Sequence, residues 1–212
     1  MTDGVEGLPL FPLQTVLFPR APLPLRIFET RYLEMVRECS RTGTGFGVIL
    51  LEPGADGRPA RHASIGTEAR IEDFSTMDDG LLGIQARGAR RFRIHATAAR
   101  DNGLLVGQVE WLAAEPARSV GAQYAALDSL YREIVMQVAH AELPEVDGDD
   151  ASQLGMALAS ILPLDPAQAQ ELLATTDPID RLRALCWLLA PESDDDDSDD
   201  EEIDEPDGFG TA

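Results

Sequence analysis

Ile65-Gly-Thr-Glu-Ala-Arg-Ile-Glu-Asp-Phe-Ser-Thr-Met-Asp-Asp-Gly-Leu-Leu-Gly-Ile84 decides the fold class. Two runs rich in apolar and β-prone residues flank Asp78-Asp79-Gly80, a turn signal of the kind that joins antiparallel strands. The β character extends to Ala113. Asp101-Asn102-Gly103 marks a second tight turn, joining the run through Ala98 to Leu104–Val109. Several short strands at this spacing predict a small barrel or a strongly curved sheet.

Upstream, Leu8 to Leu25 carries Pro9, Pro12, Pro19, Pro22 and Pro24, which forbid a helix interior and predict short edge strands with loops. Phe28, Tyr32, Met35, Val36 and Cys39 then fall on one face at the 3.6-residue period, so a helix follows, stopped by Gly43 and Gly45. Phe46 to Leu51 is an apolar run of the size of a buried strand.

Downstream of Glu115-Pro116 the period changes. Tyr124, Leu127, Tyr131, Ile134, Val135 and Val138 form a helical stripe, and Ser152 is placed to cap a second helix carrying Leu154, Leu158 and Ile161. Asp165-Pro166 and Asp177-Pro178 each set a capping residue before a proline at the first helical position. They predict helices over Pro166–Ala174 and Pro178–Leu189, the second burying Ile179, Leu182, Leu185, Cys186 and Leu189. The expected class is α+β: a β-rich part over residues 1–116, a helical part over 117–191 and a disordered acidic tail over 192–212.

Composition excludes much chemistry. All seventeen basic residues are arginine. Without lysine the chain can hold no phosphate-binding P-loop lysine, no Ser-Lys dyad and no Schiff base. Gly43-Thr-Gly-Phe-Gly47 leads into an apolar strand, which fits a helix stop better than a phosphate cradle. No Gly-x-Ser-x-Gly elbow and no Cys-x-x-Cys occurs. His62, His95 and His140 are scattered, so neither a zinc site nor any other metal or cofactor is expected. Cys39 and Cys186 sit on apolar helix faces, as inert buried thiols do.

The formal charge is −21, and twelve of the acids lie between Glu192 and Asp207. That balance argues against nucleic acid as a general partner. The amino-terminal residues carry acid where a signal peptide needs base, and no apolar run is long enough to cross a bilayer, so a cytoplasmic location without membrane contact is expected. Arg87, Arg90, Arg91 and Arg93 form the one basic cluster. As a strand it places Arg91 and Arg93 on an outer charged face, a candidate docking patch for acidic segments, this chain's own tail included.

Three stretches in order carry a family resemblance. Leu8-Pro-Leu-Phe-Pro-Leu-Gln-Thr-Val-Leu-Phe-Pro19 with Pro24-Leu-Arg-Ile-Phe-Glu-Thr-Arg-Tyr-Leu33 is the first. Ile65–Ile71 followed by Gly80–Ile84 and Gly88-Ala-Arg-Arg-Phe-Arg93 is the second, and Leu162-Pro-Leu, Gln170–Leu173 and Asp180-Arg-Leu182 make the third. Together they resemble the substrate-binding domain at the amino terminus of Lon proteases, in its free-standing bacterial form. The resemblance implies a PUA-like β pseudo-barrel followed by a C-terminal helical bundle. It also implies a non-catalytic module for unfolded or extended protein segments, with an adaptor role beside a separate protease or chaperone as the expectation. In full-length Lon proteases the ATPase and Ser-Lys peptidase domains lie further along the chain, whereas the acidic tail stands in that place here. The cysteines of the family's zinc-bearing relatives are lacking.

Within that reading the candidate peptide-binding residues are Phe18, Arg26, Phe28, Glu29, Arg31 and Tyr32. Proline-held backbone there is expected to accept an extended peptide by strand addition. The alternative role for Phe28 and Tyr32 is to lock the first helix onto the barrel. Two alternative functions remain open: a PUA-like nucleic-acid binder using Arg87–Arg93, and a small-molecule binder in the crevice between barrel and helices.

Overall fold

A computed structural model describes residues 6–52, 61–138, 142–147 and 149–190. The expectations for the acidic tail and for His140 lie outside these residues.

The strands are β1 (Glu6–Leu13), β2 (Pro22–Ile27), β3 (Phe46–Glu52), β4 (Arg61–His62), β5 (Ile65–Thr76), β6 (Leu82–Ala99) and β7 (Leu105–Trp111), with helix α1 (Thr30–Thr42) between β2 and β3. Helices α2 (Ala125–Gln137), α3 (Ala151–Ile161), α4 (Pro166–Ala174) and α5 (Pro178–Leu188) follow. The class is mixed α and β with a largely antiparallel sheet.

Hydrogen bonding runs β1–β7–β6–β5–β3, and β3 returns to β1, so five strands close into a barrel. The closure corrects the expectation that the proline-rich opening forms edge strands. In β1 the first half, Glu6–Pro9, pairs antiparallel with β7, and the second half, Leu10–Leu13, pairs parallel with β3. Each half has a ladder on one side only, which is how an interior strand tolerates Pro9 and Pro12. β2 is a true edge strand, paired with β6 alone. The two expected hairpins are present, β5–β6 across Asp78-Asp79-Gly80 and β6–β7 across Asp101-Asn102-Gly103; Gly80 and Gly103 adopt φ of 81° and 79° there.

Alternation in β3 shows why an unbroken apolar run was needed. Gly47 and Ile49 face the barrel interior, while Phe46 and Val48 join the larger core under the helices. The interior is filled by Leu8, Leu10, Ile49, Phe92 and Val109. Phe92 is fully buried, and its ring tip lies 2.6 Å from where a Cβ would stand on either Gly47 or Gly66. Those glycines make the room that the aromatic ring occupies. The larger core is continuous from Phe11 and Phe18 through Ile65 and Ala86 to Leu154, Leu182 and Leu185, so barrel and helices share it.

Local helix signals held where they were strongest. Asp165 and Asp177 cap α4 and α5 with proline at the first turn, Asp165 in a full capping box with Gln168. Asp150, not Ser152, caps α3: its carboxylate accepts from the Ser152 and Gln153 backbone N–H groups. The α1 face is shorter than the periodicity predicted, because the helix begins at Thr30 and Phe28 stands before it, 66% exposed. In α2, Leu127 and Tyr131 are buried, but Val135 in its last turn and Val138 just past its end are exposed. α5 stops one residue early, leaving Leu189 exposed, while Ile179 and Cys186 are half-buried.

Candidate functional site

The segment between β2 and α1 forms one wall of an open groove of about 470 Å³. Phe11 and Leu13 of β1, Leu25 and Ile27 of β2, Tyr32 of α1 and Leu105 of β7 supply its apolar lining. Tyr32 is 9% exposed and stacks on Phe11 with ring centroids 4.1 Å apart. Burial pushes its phenol pKa up, partly opposed by the Arg31 charge and reinforced by Glu29. Tyr32 therefore anchors α1 to the barrel. Phe28 does not, since its ring stands largely in solvent at the groove.

The charged groups at the groove neutralise one another. Arg31 pairs with Glu29 at 2.7 Å, lies 4.7 Å over the Tyr32 ring and donates to the Gly103 carbonyl at 3.1 Å. Arg26 pairs with Asp79 in the β5–β6 turn. An apolar floor with a self-compensated rim favours an uncharged, bulky segment over a charged one.

Five of the six predicted residues, Arg26, Phe28, Glu29, Arg31 and Tyr32, thus line one groove. Phe18 does not. It is 1% exposed, because the turn that carries it is clamped on β6 by Arg20 N–H to Gly88 O at 2.7 Å and Gly88 N–H to Ala21 O at 2.9 Å. Strand addition at β2 is also disfavoured. Pro22 and Pro24 are two residues apart, so their missing donors fall on the same side, and the ladder to β6 occupies the other. The free edge therefore offers acceptors with few donors.

The four arginines of the basic cluster do not form one patch. Arg91 and Arg93 do share a strand face, but the helices cover it at Arg91 and leave it open at Arg93. Arg91 is 6% exposed and donates to the Leu173 and Thr175 carbonyls at 2.5 and 2.8 Å. Arg87 is held by Glu72 at 2.7 Å and by the Arg20 carbonyl at 3.1 Å. Arg90 leans on Trp111 and pairs with Glu68.

The feature that sequence reasoning missed is a buried ion network. Glu115, after β7, accepts from Arg91 of β6 and from Arg181 of α5, the latter at 2.9 and 2.5 Å, and from the Ser152 hydroxyl at 2.5 Å. Arg181 is fully buried and also donates to the Leu172 carbonyl at 3.0 Å. Burial alone pushes the Glu115 carboxyl up; the hydrogen bonds from Arg181 and Ser152, with the charges of Arg181 and Arg91, outweigh it and hold it below its ordinary value. The one available signal was Arg181 itself, which interrupts the apolar stripe Pro178–Leu182–Leu185. Beside the network, a crevice of about 340 Å³ opens between β6 and α3, lined by Arg91, Glu115, Ser152 and Met156 among others.

Among the described residues no group of three or more His, Cys, Asp or Glu side chains is placed to hold a metal ion, and no helix is long and apolar enough to cross a membrane. Burial pushes the Cys39 thiol pKa up, aided by Glu38 and opposed by Thr44 and Arg100, so it stays protonated; the sulfur lies 3.5 Å from the Gly45 carbonyl.

A closed β barrel covered on one side by helices, with an apolar groove between β2 and α1, defines a mixed α/β domain. The chain belongs to the ATP-dependent protease La (LON) substrate-binding domain family, whose model matches residues 7–190. It is similar to the crystal structure of a Lon N-terminal domain protein from Xanthomonas campestris, with 40% identity, a TM-score of 0.73, and coverage of 88% of this chain and all of that one. The N-terminal domain of a Mycobacterium avium complex Lon protease shares the fold, with a TM-score of 0.58 at 22% identity over 86% of this chain and 97% of that one. Lon protease 2 of Herpetosiphon aurantiacus is 28% identical over 88% of this chain, and a LON peptidase N-terminal domain and RING finger protein of Schizosaccharomyces pombe is 25% identical over 85%. The chain spans 24% of the length of the first relative and 44% of the second.

Proposed function

We propose that the protein is a non-catalytic module that holds extended or unfolded protein segments in the groove between β2 and α1, as an adaptor for a separate protease or chaperone in the cytoplasm. The fold is read as a PUA-like pseudo-barrel over residues 1–116 carrying a helical bundle over 117–191. The observation that carries the functional reading is Phe28: a large aromatic side chain stands exposed beside an apolar groove whose charges are already paired. Exposed aromatics next to apolar clefts act as anchors for partner side chains.

Labelled unfolded casein is expected to bind in fluorescence anisotropy at tens of micromolar. Phe28→Ala is expected to weaken binding about tenfold, the loss of one buried aromatic contact. The thermal midpoint should stay unchanged, because Phe28 supports no core. Absence of binding by the unaltered protein overturns the proposal.

A second reading draws on the crevice beside Glu115, where buried polar groups converge in a cavity large enough for a small molecule. A metabolite that binds there is expected to raise the thermal midpoint through ligand linkage, and a screen with no concentration-dependent shift removes this reading. The nucleic-acid alternative is weakened because the four arginines do not form one surface: Arg91 is 6% exposed against Glu115, and Arg87 and Arg90 each share a glutamate on separate parts of β6.

A further inference from the structure

At one mouth of the barrel, beside the end of α1, lies a cavity of about 310 Å³ that shares no residue with the groove. Leu8, Thr44, Arg70, Arg90, Arg100 and Trp111 are on its wall. Glu68, only 3% exposed, is shared between two guanidinium groups: Arg70 at 2.8 Å on one oxygen and Arg90 at 3.2 Å on the other. Arg100 is balanced by Glu38 at 2.8 Å. Among the described residues, three arginines on this wall face two glutamates, an excess of one positive charge in a concave site.

Arg90 carries that excess in a usable geometry. Its Nε donates to Glu68, and its Cζ lies over the Trp111 ring, 3.9 Å from the centroid. Among the described residues nothing accepts from its two terminal nitrogens, and the side chain is 54% exposed. The guanidinium is thus fixed on one edge and one face while its outer fork points away from both partners. A fork held in advance loses little rotamer freedom on binding, and its two parallel N–H groups match the paired oxygens of a carboxylate or phosphate.

We infer that this barrel mouth is a second binding site, for an anionic group seated end-on against Arg90 with Arg100 alongside. The assignment is independent of the proposed groove function. Two sources supply the same chemistry: free phosphate, and the carboxylates of an acidic segment such as this chain's own Asp194–Glu205.

Trp111 reports on the site. The chain has two tryptophans, and Trp187 is 79% exposed, so a full-length Trp187→Phe variant isolates the indole under Arg90. Inorganic phosphate and a synthetic peptide of residues 194–205 are each titrated at low salt, in this variant and in one whose Asp194 to Asp197 are all changed to Asn. A saturable change in Trp111 emission with either probe is expected, reversed by added salt. Arg90→Gln should weaken binding at least tenfold and Arg100→Ala about threefold. Arg90→Lys keeps a charge beside Glu68 while losing the fork, and is also expected to bind about tenfold more weakly. Tighter binding after tail neutralisation identifies the tail as the resident occupant; unchanged affinity identifies an external anion. No saturable response in either background, or unaltered affinity in Arg90→Lys, overturns the inference.

Discussion

Glu115→Ala is expected to destabilise the protein by about 3–5 kcal/mol, the usual cost of removing one partner from a buried ion pair. For a domain of this size that lowers the thermal midpoint by roughly 6–20 °C. The reason is geometric. Arg91 and Arg181 both point at one carboxylate that is nearly closed to solvent, and without it two guanidiniums face each other across a buried space. Glu115→Gln keeps most hydrogen-bonding shape but no charge, so it tests the electrostatic part alone. The pH dependence has a definite sign. The native carboxyl titrates below its ordinary value of 4.5, so its stabilisation is complete above that value and is lost as pH falls through the native one. The gap in unfolding free energy between the unaltered protein and Glu115→Gln should therefore be widest near neutrality and narrow in acid. A gap that stays constant down to the acid-unfolding limb would contradict this account, as would a Glu115→Ala midpoint within 2 °C of the parent.

Phe92→Ala is expected to cost a similar amount, about 3–5 kcal/mol, because a fully buried ring in a small closed barrel leaves a void that the strands cannot collapse into. The surrounding glycines sharpen the test. Gly66→Ala places a Cβ 2.6 Å from the Phe92 ring tip and 2.5 Å from the Val48 carbonyl oxygen, and should destabilise by about 1–3 kcal/mol through overpacking. Combined with Phe92→Leu, which shortens the side chain, Gly66→Ala should cost less than it does alone. Urea unfolding of the single and double variants measures that coupling. Additive effects would show that Phe92 does not set the space at Gly66.

The parts of the fold legible in the sequence are those written in neighbouring residues. Asp165-Pro166 and Asp177-Pro178 marked helix starts because capping is a matter of three or four consecutive positions. The two hairpins were readable for the same reason. Long-range facts were not. Nothing near Pro9 or Pro12 announces that β1 divides its pairing between two strands. The face of β6 that holds both Arg91 and Arg93 looks uniformly solvent-directed until α4 and α5 are laid over one end of it. Glu115 read as a period change rather than as the acid that binds two arginines, one of them 66 residues away. At the candidate groove, spacing brought together Arg26, Phe28, Glu29, Arg31 and Tyr32, which are close in sequence. Phe18 was misplaced because its burial depends on contact with β6.

The divided pairing of β1 also orders events as the chain leaves the ribosome. Its second half can find β3 after about forty further residues, but its first half must wait for β7, roughly one hundred residues downstream. Closing a loop of that length before any reward is slow, so refolding should occupy milliseconds to seconds rather than microseconds. Until β7 arrives, Leu8 and Leu10 are left without the strand that completes their enclosure, and the nascent protein passes through a stage in which it is itself the kind of open, apolar-edged polypeptide that chaperones retain.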